Sequence, residues 1–185
     1  MRLSQTVFDD LAVLFAYPTA ETEKALVRTL LCFSGAEVHE RYPETHRALR
    51  EFAVAVGQLS PTELEELYTR TFDINPSASL ELGWHLYGER YERGAFLVLM
   101  RQQLREYGIA EGCELPDHLT HVLQLFGRMS DTQRTGMVEQ YLLRGMSVLM
   151  DAWEGPENPY RRLLDALQSL LLSLCPTQQG VHADV

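Results

Sequence analysis

Apolar residues recur at intervals of three and four along nearly the whole chain, and this spacing limits the fold more than any other feature. Val7, Leu11 and Leu14 form one such stripe, and Leu49 and Phe52 belong to another. Residues three or four apart lie on one face of an α-helix, whereas a half-buried strand requires alternation with a period of two. Sustained alternation is hard to find in this sequence. We therefore predict an all-α fold, a single-domain helical bundle of about eight or nine helices.

Capping residues, prolines and glycines predict where several helices begin and end. Ser60, Pro61 and Glu63 are typical of a helix start, because serine caps the first turn, proline suits its geometry and an acid favours its dipole. The pattern predicts a short helix over 79–87, a long one over 89–107, another opened by Pro116 and Asp117, and two long helices over about 131–153 and 158–174. A chain of 185 residues favours one domain. We place that domain at 1–175 and expect a disordered tail at 176–185.

The charge balance narrows the classes of partner. The chain has 26 acidic and 16 basic residues and a formal net charge of −10. Such a surface repels nucleic acid and anionic lipid and attracts basic peptides. No stretch reaches the roughly 18 consecutive apolar residues of a membrane-spanning helix, and the N-terminal residues do not resemble a signal peptide. We expect a cytoplasmic protein with no nucleic-acid partner and no direct membrane insertion.

One group of residues suggests metal chemistry. Cys113, Asp117, His118 and His121 lie near a predicted helix start, and histidines three apart share a helix face and can bind a metal. The alternative is that Asp117 caps the helix while the histidines contact neighbouring helices. The sequence has no Glu-x-x-His pair, nucleophile elbow or phosphate-binding loop. We therefore expect no cofactor and no enzyme activity, and retain a metal-dependent helical enzyme using these four residues as the alternative.

Aromatic residues and glycines cluster near the middle of the chain. Phe72, Trp84 and Tyr87 lie close in sequence to Gly88 and Gly94. Glycine inside a helix costs about 1 kcal/mol relative to alanine, so this combination suggests close backbone approach or room for a partner. Most of these aromatic residues also suit an ordinary core. An aromatic groove with an acidic rim would bind an apolar peptide that carries arginines.

Four stretches in order resemble a known family. They are LFAYP at 14–18, LYTRTFD at 67–73, Ser79 and Leu80 followed by HLYGERYERG at 85–94, and ELPDHL at 114–119. Together they resemble the nitrate reductase molybdenum-cofactor assembly chaperones (the NarJ family), within the TorD-like redox enzyme maturation chaperones. The resemblance covers roughly residues 7–128. Thr120 stands where the nitrate reductase members often have a second proline, which leaves other molybdenum reductases open as clients.

The resemblance implies a system-specific chaperone that acts before membrane attachment or export. Its partner would be the catalytic molybdenum subunit of a respiratory oxidoreductase, first of all the nitrate reductase alpha subunit. The chaperone would bind the N-terminal twin-arginine peptide of that subunit, or a remnant of it, and support molybdenum-cofactor insertion. We expect a monomer or weak dimer.

The predicted peptide-binding residues combine the aromatic cluster with positions carried over from the resemblance. By this carry-over, Asp117 would accept hydrogen bonds from a client arginine, and His118 would titrate near physiological pH. The full predicted set is Phe72, Trp84, His85, Tyr87, Gly88, Glu89, Arg93, Gly94, Leu115, Pro116, Asp117 and His118.

Overall fold

The structure is a computed structural model that describes residues 3–151 and 157–174. Within these ranges, eleven α-helical segments form most of the molecule: α1 (Gln5–Leu14), α2 (Ala20–Ser34), α3 (Ala36–Arg41), α4 (Pro43–Val56), α5 (Pro61–Tyr68), α6 (Leu82–Tyr87), α7 (Tyr91–Glu106), α8 (Leu119–Arg128), α9 (Asp131–Met137), α10 (Leu143–Asp151) and α11 (Pro159–Leu174). Two π-helical turns, Thr69–Asp73 and Val138–Leu142, follow α5 and α9, and a 3-10 turn covers Pro76–Ala78. The expected tail at 176–185 lies outside the described residues.

The all-α prediction is confirmed. Over residues 3–151 and 157–174 the chain forms no sheet, and its β-structure there is a single antiparallel bridge between Glu81 and His118. Segments α9 and α10 are one helix interrupted by a π-helical turn, in line with the long helix predicted over 131–153. The uninterrupted helices are therefore only slightly more numerous than the eight or nine expected.

Two predicted helix starts are wrong, and both lie at this bridge. The helix predicted over 79–87 begins only at Leu82, because the preceding residues are extended and pair with a second segment. In that pairing the Leu82 amide donates to the Asp117 carbonyl oxygen at 3.0 Å, and the Leu119 amide donates to the Leu80 carbonyl oxygen at 2.8 Å. The helix predicted to open at Pro116 consequently begins at Leu119, with His118 as its N-cap.

The buried apolar side chains form one continuous core. The most extensive helix interfaces join α4 to α11 and α1 to both α2 and α8. Phe8 of α1 meets Phe126 of α8 edge to face, with ring centroids 5.0 Å apart, and Phe52 of α4 contacts Tyr160 of α11 at 5.6 Å. Aromatic pairs in this geometry add to the stability gained from burial alone. These helices form the scaffold that carries the smaller elements in the middle of the chain.

Helix α6 is short, and neighbouring helices hold it in place. On one side, Gly145 of α10 allows close approach: a Cβ atom there would collide with the side chain of the buried Leu82. On the other side, a Cβ atom on Gly83 would lie 2.9 Å from Phe96 of α7. Two glycines, one on each side, therefore set how closely α6 packs.

The contact at Gly145 leads to a prediction about stability. Gly145→Ala should give a free energy of unfolding about 1–3 kcal/mol lower than Gly136→Ala, because the added methyl group overpacks the Leu82 contact. Gly136 lies in the same long helix and has no atom within 4 Å of an added Cβ. Gly136→Ala should thus gain up to about 1 kcal/mol from helix propensity alone. Urea denaturation of both variants measures the difference, and equal stabilities would contradict the close approach.

Candidate functional site

A solvent-open cleft of about 470 Å³ lies beside α6. Trp84, His85, Tyr87 and Gly88, four residues of the predicted binding set, line this cleft, which we call the α6 cleft. The other residues that line it are Ser77, Leu86, Arg90 and Val148. Trp84, His85 and Tyr87 are only partly buried, so a ligand in the cleft could touch their rings. Small and peptide ligands typically bind in concave sites with aromatic and apolar walls.

The end of α6 shapes one wall of the cleft. Gly88 has a φ of 59°, a left-handed conformation that favours glycine, and its amide donates to the Trp84 carbonyl oxygen at 2.8 Å. The Arg90 guanidinium then donates to the Tyr87 and Leu86 carbonyl oxygens at 2.9 and 3.1 Å. The last carbonyls of α6 are thus satisfied by the chain itself, which fixes the position of Tyr87.

His85 connects α6 to the extended segment before it. Its Nε2 lies 2.6 Å from the Ser79 carbonyl oxygen, and because a carbonyl only accepts, Nε2 carries the hydrogen. Burial lowers the pKa of His85, against the opposing effects of the Ser79 carbonyl and the Glu81 charge. The imidazole therefore both lines the cleft and fixes the fold around it.

Behind Trp84 lies a buried pair of opposite charges. The Arg93 guanidinium carbon lies 5.4 Å from the centre of the Trp84 ring, and Arg93 Nε is 4.0 Å from Asp117 Oδ2. The same carboxylate oxygen accepts a hydrogen bond from the Gly83 amide at 3.0 Å. Burial raises the pKa of Asp117, while Arg93 and the Gly83 amide act in the opposite direction. Asp117 thus links α6, α7 and the segment before α8.

The sequence-based interpretation of Asp117 needs correction. It was expected to lie at a helix N-terminus, either as a cap or open to a client arginine. In the structure its exposed fraction is 0%, and the cap of α8 is His118. An arginine of the chain, Arg93, already lies beside its carboxylate. A client arginine could reach Asp117 only by displacing Arg93, so this placement favours a role in holding the site together.

His118 also differs from expectation. Its Nδ1 accepts hydrogen bonds from the Thr120 hydroxyl at 2.8 Å and from the Thr120 amide at 3.4 Å, which makes it the cap of α8. Burial lowers the pKa of His118 to about 4, despite the nearby negative charge of Glu81. The predicted titration near physiological pH is therefore wrong, because the imidazole is neutral there.

The metal alternative lacks a ligand set in the part of the chain that the structure describes. There, no three His, Cys, Asp or Glu side chains converge to hold an ion. Both nitrogens of His121 face backbone groups: Nδ1 lies 3.0 Å from the Leu115 carbonyl oxygen, and Nε2 accepts from the Gly112 amide at 3.4 Å. Cys113 is exposed. These contacts attach the loop before α8 to the helix and leave His121 no free lone pair.

Three carboxylates lie close together near the α6 cleft. The pKa of Glu114 is raised, first by burial and then by the negative charges of Glu81 and Asp73. Glu81 also accepts a hydrogen bond from the Ser79 hydroxyl. This side of the molecule therefore carries concentrated negative charge, as the acidic-rim hypothesis requires.

The other predicted residues are distributed around the cleft. Phe72 is buried between Tyr68 and Tyr160, with ring centroids 5.1 and 4.9 Å away, and belongs to the core. Glu89 and Gly94 are exposed, Leu115 is 42% exposed and Pro116 is buried.

Sequence reasoning missed two residues that line the cleft. Val148 was not predicted, because no local pattern shows that α10 packs beside α6. Gly145, one turn before it, was the one available signal. Arg90 was also missed, although it stands two residues after the predicted Gly88.

The placement of Asp117 predicts a structural effect of its removal. Asp117→Ala should lower the free energy of unfolding by about 1–3 kcal/mol, because the Gly83 amide and Arg93 then lose a buried partner. Glu114→Ala should change stability by less than about 0.5 kcal/mol, since that side chain is 54% exposed. Urea denaturation compares the two. Unchanged stability of Asp117→Ala together with lost peptide binding would restore the arginine-receiving role.

The low pKa of His118 predicts a pH dependence of stability. In the unfolded chain the imidazole takes up a proton near its ordinary pKa of 6.5, whereas in the folded protein it does so only near pH 4. The free energy of unfolding should therefore fall by up to about 3 kcal/mol between these pH values. The raised pKa of Asp117 acts in the opposite sense but is present in every variant that retains Asp117. His118→Asn keeps a capping acceptor without the titration, so its stability should depend less on pH. Parallel pH profiles would contradict the assignment.

Comparison with known proteins identifies the family. The sequence model described as "Nitrate reductase delta subunit" matches residues 36–168. The chain is also similar to the nitrate reductase molybdenum cofactor assembly chaperone NarJ of Escherichia coli strain K12 and of Escherichia coli O157:H7. Each is 26% identical over 128 residues, which cover 69% of this chain and 54% of the relative. The chain therefore spans about half the length of the curated relatives it matches.

One further property concerns membranes. None of the helices in residues 3–151 and 157–174 combines the length and the apolar character that a bilayer span requires. The family match covers well over half of the chain, from α3 into α11. This protein therefore belongs to the nitrate reductase delta subunit family, in agreement with the family resemblance of its motifs.

Proposed function

We propose that this protein is an assembly chaperone for the catalytic subunit of a molybdenum reductase, first of all nitrate reductase. Its family and the names of its relatives support the client class. The observation that carries the proposal is the α6 cleft, where Trp84, Tyr87 and Val148 offer accessible apolar surface beside an acidic region. Binding, and not chemical turnover, is the activity.

The cleft binds the N-terminal peptide of the client. An apolar stretch of that peptide buries area against Trp84, Tyr87 and Val148, at about 25 cal/mol for each Å² of apolar surface removed from water. Arginines in the peptide are attracted by the net charge of −10 and by the carboxylates of Asp73, Glu81 and Glu114.

Fixed geometry makes this binding efficient. Arg90, Gly88 and His85 hold α6 through backbone contacts, so the cleft is ordered before the peptide arrives. Preorganisation of this kind reduces the entropy lost on association. In this role the chaperone acts in the cytoplasm, as a monomer or weak dimer, and holds the client until its cofactor is inserted. It leaves before the enzyme is attached to the membrane or exported.

The family description supports a second candidate, because it names a subunit. A permanent subunit would remain in the mature reductase in stoichiometric amount, whereas a chaperone would leave. Purification of the client enzyme before and after cofactor insertion, with quantification of this chain, separates the two. Retention in the mature enzyme would contradict the chaperone proposal.

The α6 cleft predicts which substitutions weaken binding. Trp84→Ala should weaken binding of a synthetic client N-terminal peptide by roughly 30-fold, the effect expected of a central aromatic anchor worth about 2 kcal/mol. Tyr91→Ala is the matched control, because Tyr91 is 90% exposed and is not among the residues that line the cleft. Its affinity should remain within about twofold of wild type. Isothermal titration calorimetry measures both.

A second variant protects this test from effects on folding. Trp84 contacts Arg93, so its loss could disturb the local structure, whereas Val148 lines the same cleft and is 47% exposed. Val148→Ala should weaken binding by roughly fivefold, because it removes about 1 kcal/mol of apolar contact. Wild-type affinity in both variants would show that the peptide binds elsewhere.

A further inference from the structure

A second cleft, of about 350 Å³, lies between the end of α1 and the α5 region. Tyr17 and Ile74 are its large apolar side chains, and Glu65, Glu66 and Arg70 bring its charges. Tyr17 is 49% exposed and Ile74 is 71% exposed. An isoleucine this accessible, in a short turn beside acidic residues, leaves apolar surface for a partner. We call this cleft the Tyr17 cleft.

The walls of the Tyr17 cleft are held in place. The Tyr17 ring packs edge to face on Tyr68, with centroids 5.6 Å apart, and the Tyr68 hydroxyl donates to the Phe15 carbonyl oxygen at 3.1 Å. The Ile74 amide donates to the Thr69 carbonyl oxygen at 3.2 Å, which closes the π-helical turn. Both apolar side chains thus stand on ordered backbone.

The two clefts lie on opposite ends of one short segment. Ile74 lines the Tyr17 cleft, and Ser77, three residues later, lines the α6 cleft. Three residues span at most about 11 Å. The segment is itself ordered, because Asn75 accepts a hydrogen bond from the Ser77 amide at 3.2 Å. A peptide that occupies the α6 cleft therefore needs only a few more residues to reach the other cleft.

Charge indicates what the additional residues should be. Two glutamates and one arginine line the Tyr17 cleft, and the exposed Asp73 precedes Ile74 in the chain. Acidic charge therefore predominates beside the apolar pair. A side chain that enters between Tyr17 and Ile74 should be apolar, and its neighbour in the partner should be a lysine or arginine.

We propose that the Tyr17 cleft is a second subsite for the same client peptide. It takes an apolar side chain flanked by a basic one, in an extended stretch that crosses the segment from Ile74 to Ser77. This inference rests on the proposed function of the α6 cleft. At about 3.3 Å for each extended residue, a peptide of roughly eight residues occupies both subsites.

The test combines variants of each cleft with peptides of different length. The probes are the synthetic client N-terminal peptide and two forms of it, one shortened from each end. Ile74→Ala should weaken binding of the full-length peptide roughly fivefold and leave one of the shortened forms unaffected. Trp84→Ala should weaken that same shortened form. Leu31→Ala is the matched control, because Leu31 on α2 is 68% exposed and is not among the residues that line either cleft.

A second readout tests the charge complementarity. The double variant Glu65→Gln with Glu66→Gln should weaken full-length binding at low salt and flatten its dependence on ionic strength, because exposed charges are screened by salt. The shortened form that is insensitive to Ile74→Ala should show no such change. Calorimetry at low and high ionic strength measures both effects.

The outcomes separate the two proposals. If Trp84→Ala weakens binding while Ile74→Ala and the glutamine double variant match Leu31→Ala for every peptide, the second subsite is wrong and the α6 cleft stands. Equal weakening of all peptides by Ile74→Ala would assign it a role in folding and would also overturn the subsite. If the wild-type protein binds none of the peptides, the proposed function fails and the second subsite fails with it.

Discussion

The short pairing between the segment around Glu81 and the segment around His118 is the contact on which the rest of the site depends. It joins parts of the chain that are distant in sequence, and the Asp117 carboxylate extends it to the Gly83 amide. An α-helix as short as α6 has little stability of its own, so tertiary contacts must hold it. The pairing on one side and Gly145 on the other supply those contacts, and the cleft exists because α6 is held there.

How much of this could be predicted from the sequence depended on whether the interactions were local. The capped start of α5 at Ser60 and the long helix from Asp131 follow from neighbouring residues, and the sequence predicted both. Trp84, Tyr87 and Gly88 meet in one cleft for the same reason, since a single turn of helix carries them.

The errors all involve partners that are far away in the chain. The segment before α6 is extended because it bonds to residues more than 30 positions later, which no local pattern shows. Asp117 looked like an exposed cap, since an acid after Pro116 is a common helix start. Only the packing of α6 and α7 around it reveals a buried carboxylate. The same burial makes His118 neutral, so a residue type that usually titrates near neutrality is here a structural cap.

The π-helical turn Val138–Leu142 has a consequence for how this helix tolerates insertions and deletions. A π-helical turn accommodates one residue more than an α-helical turn, and each residue of an α-helix advances the helix by about 100°. Deletion of one residue there, with the turn reverting to regular α-helix, would shift the angular phase of everything that follows. Gly145 would then no longer face Leu82, and Val148 would turn away from the cleft. The number of residues in that turn, independently of their identity, therefore determines which side of α10 meets α6.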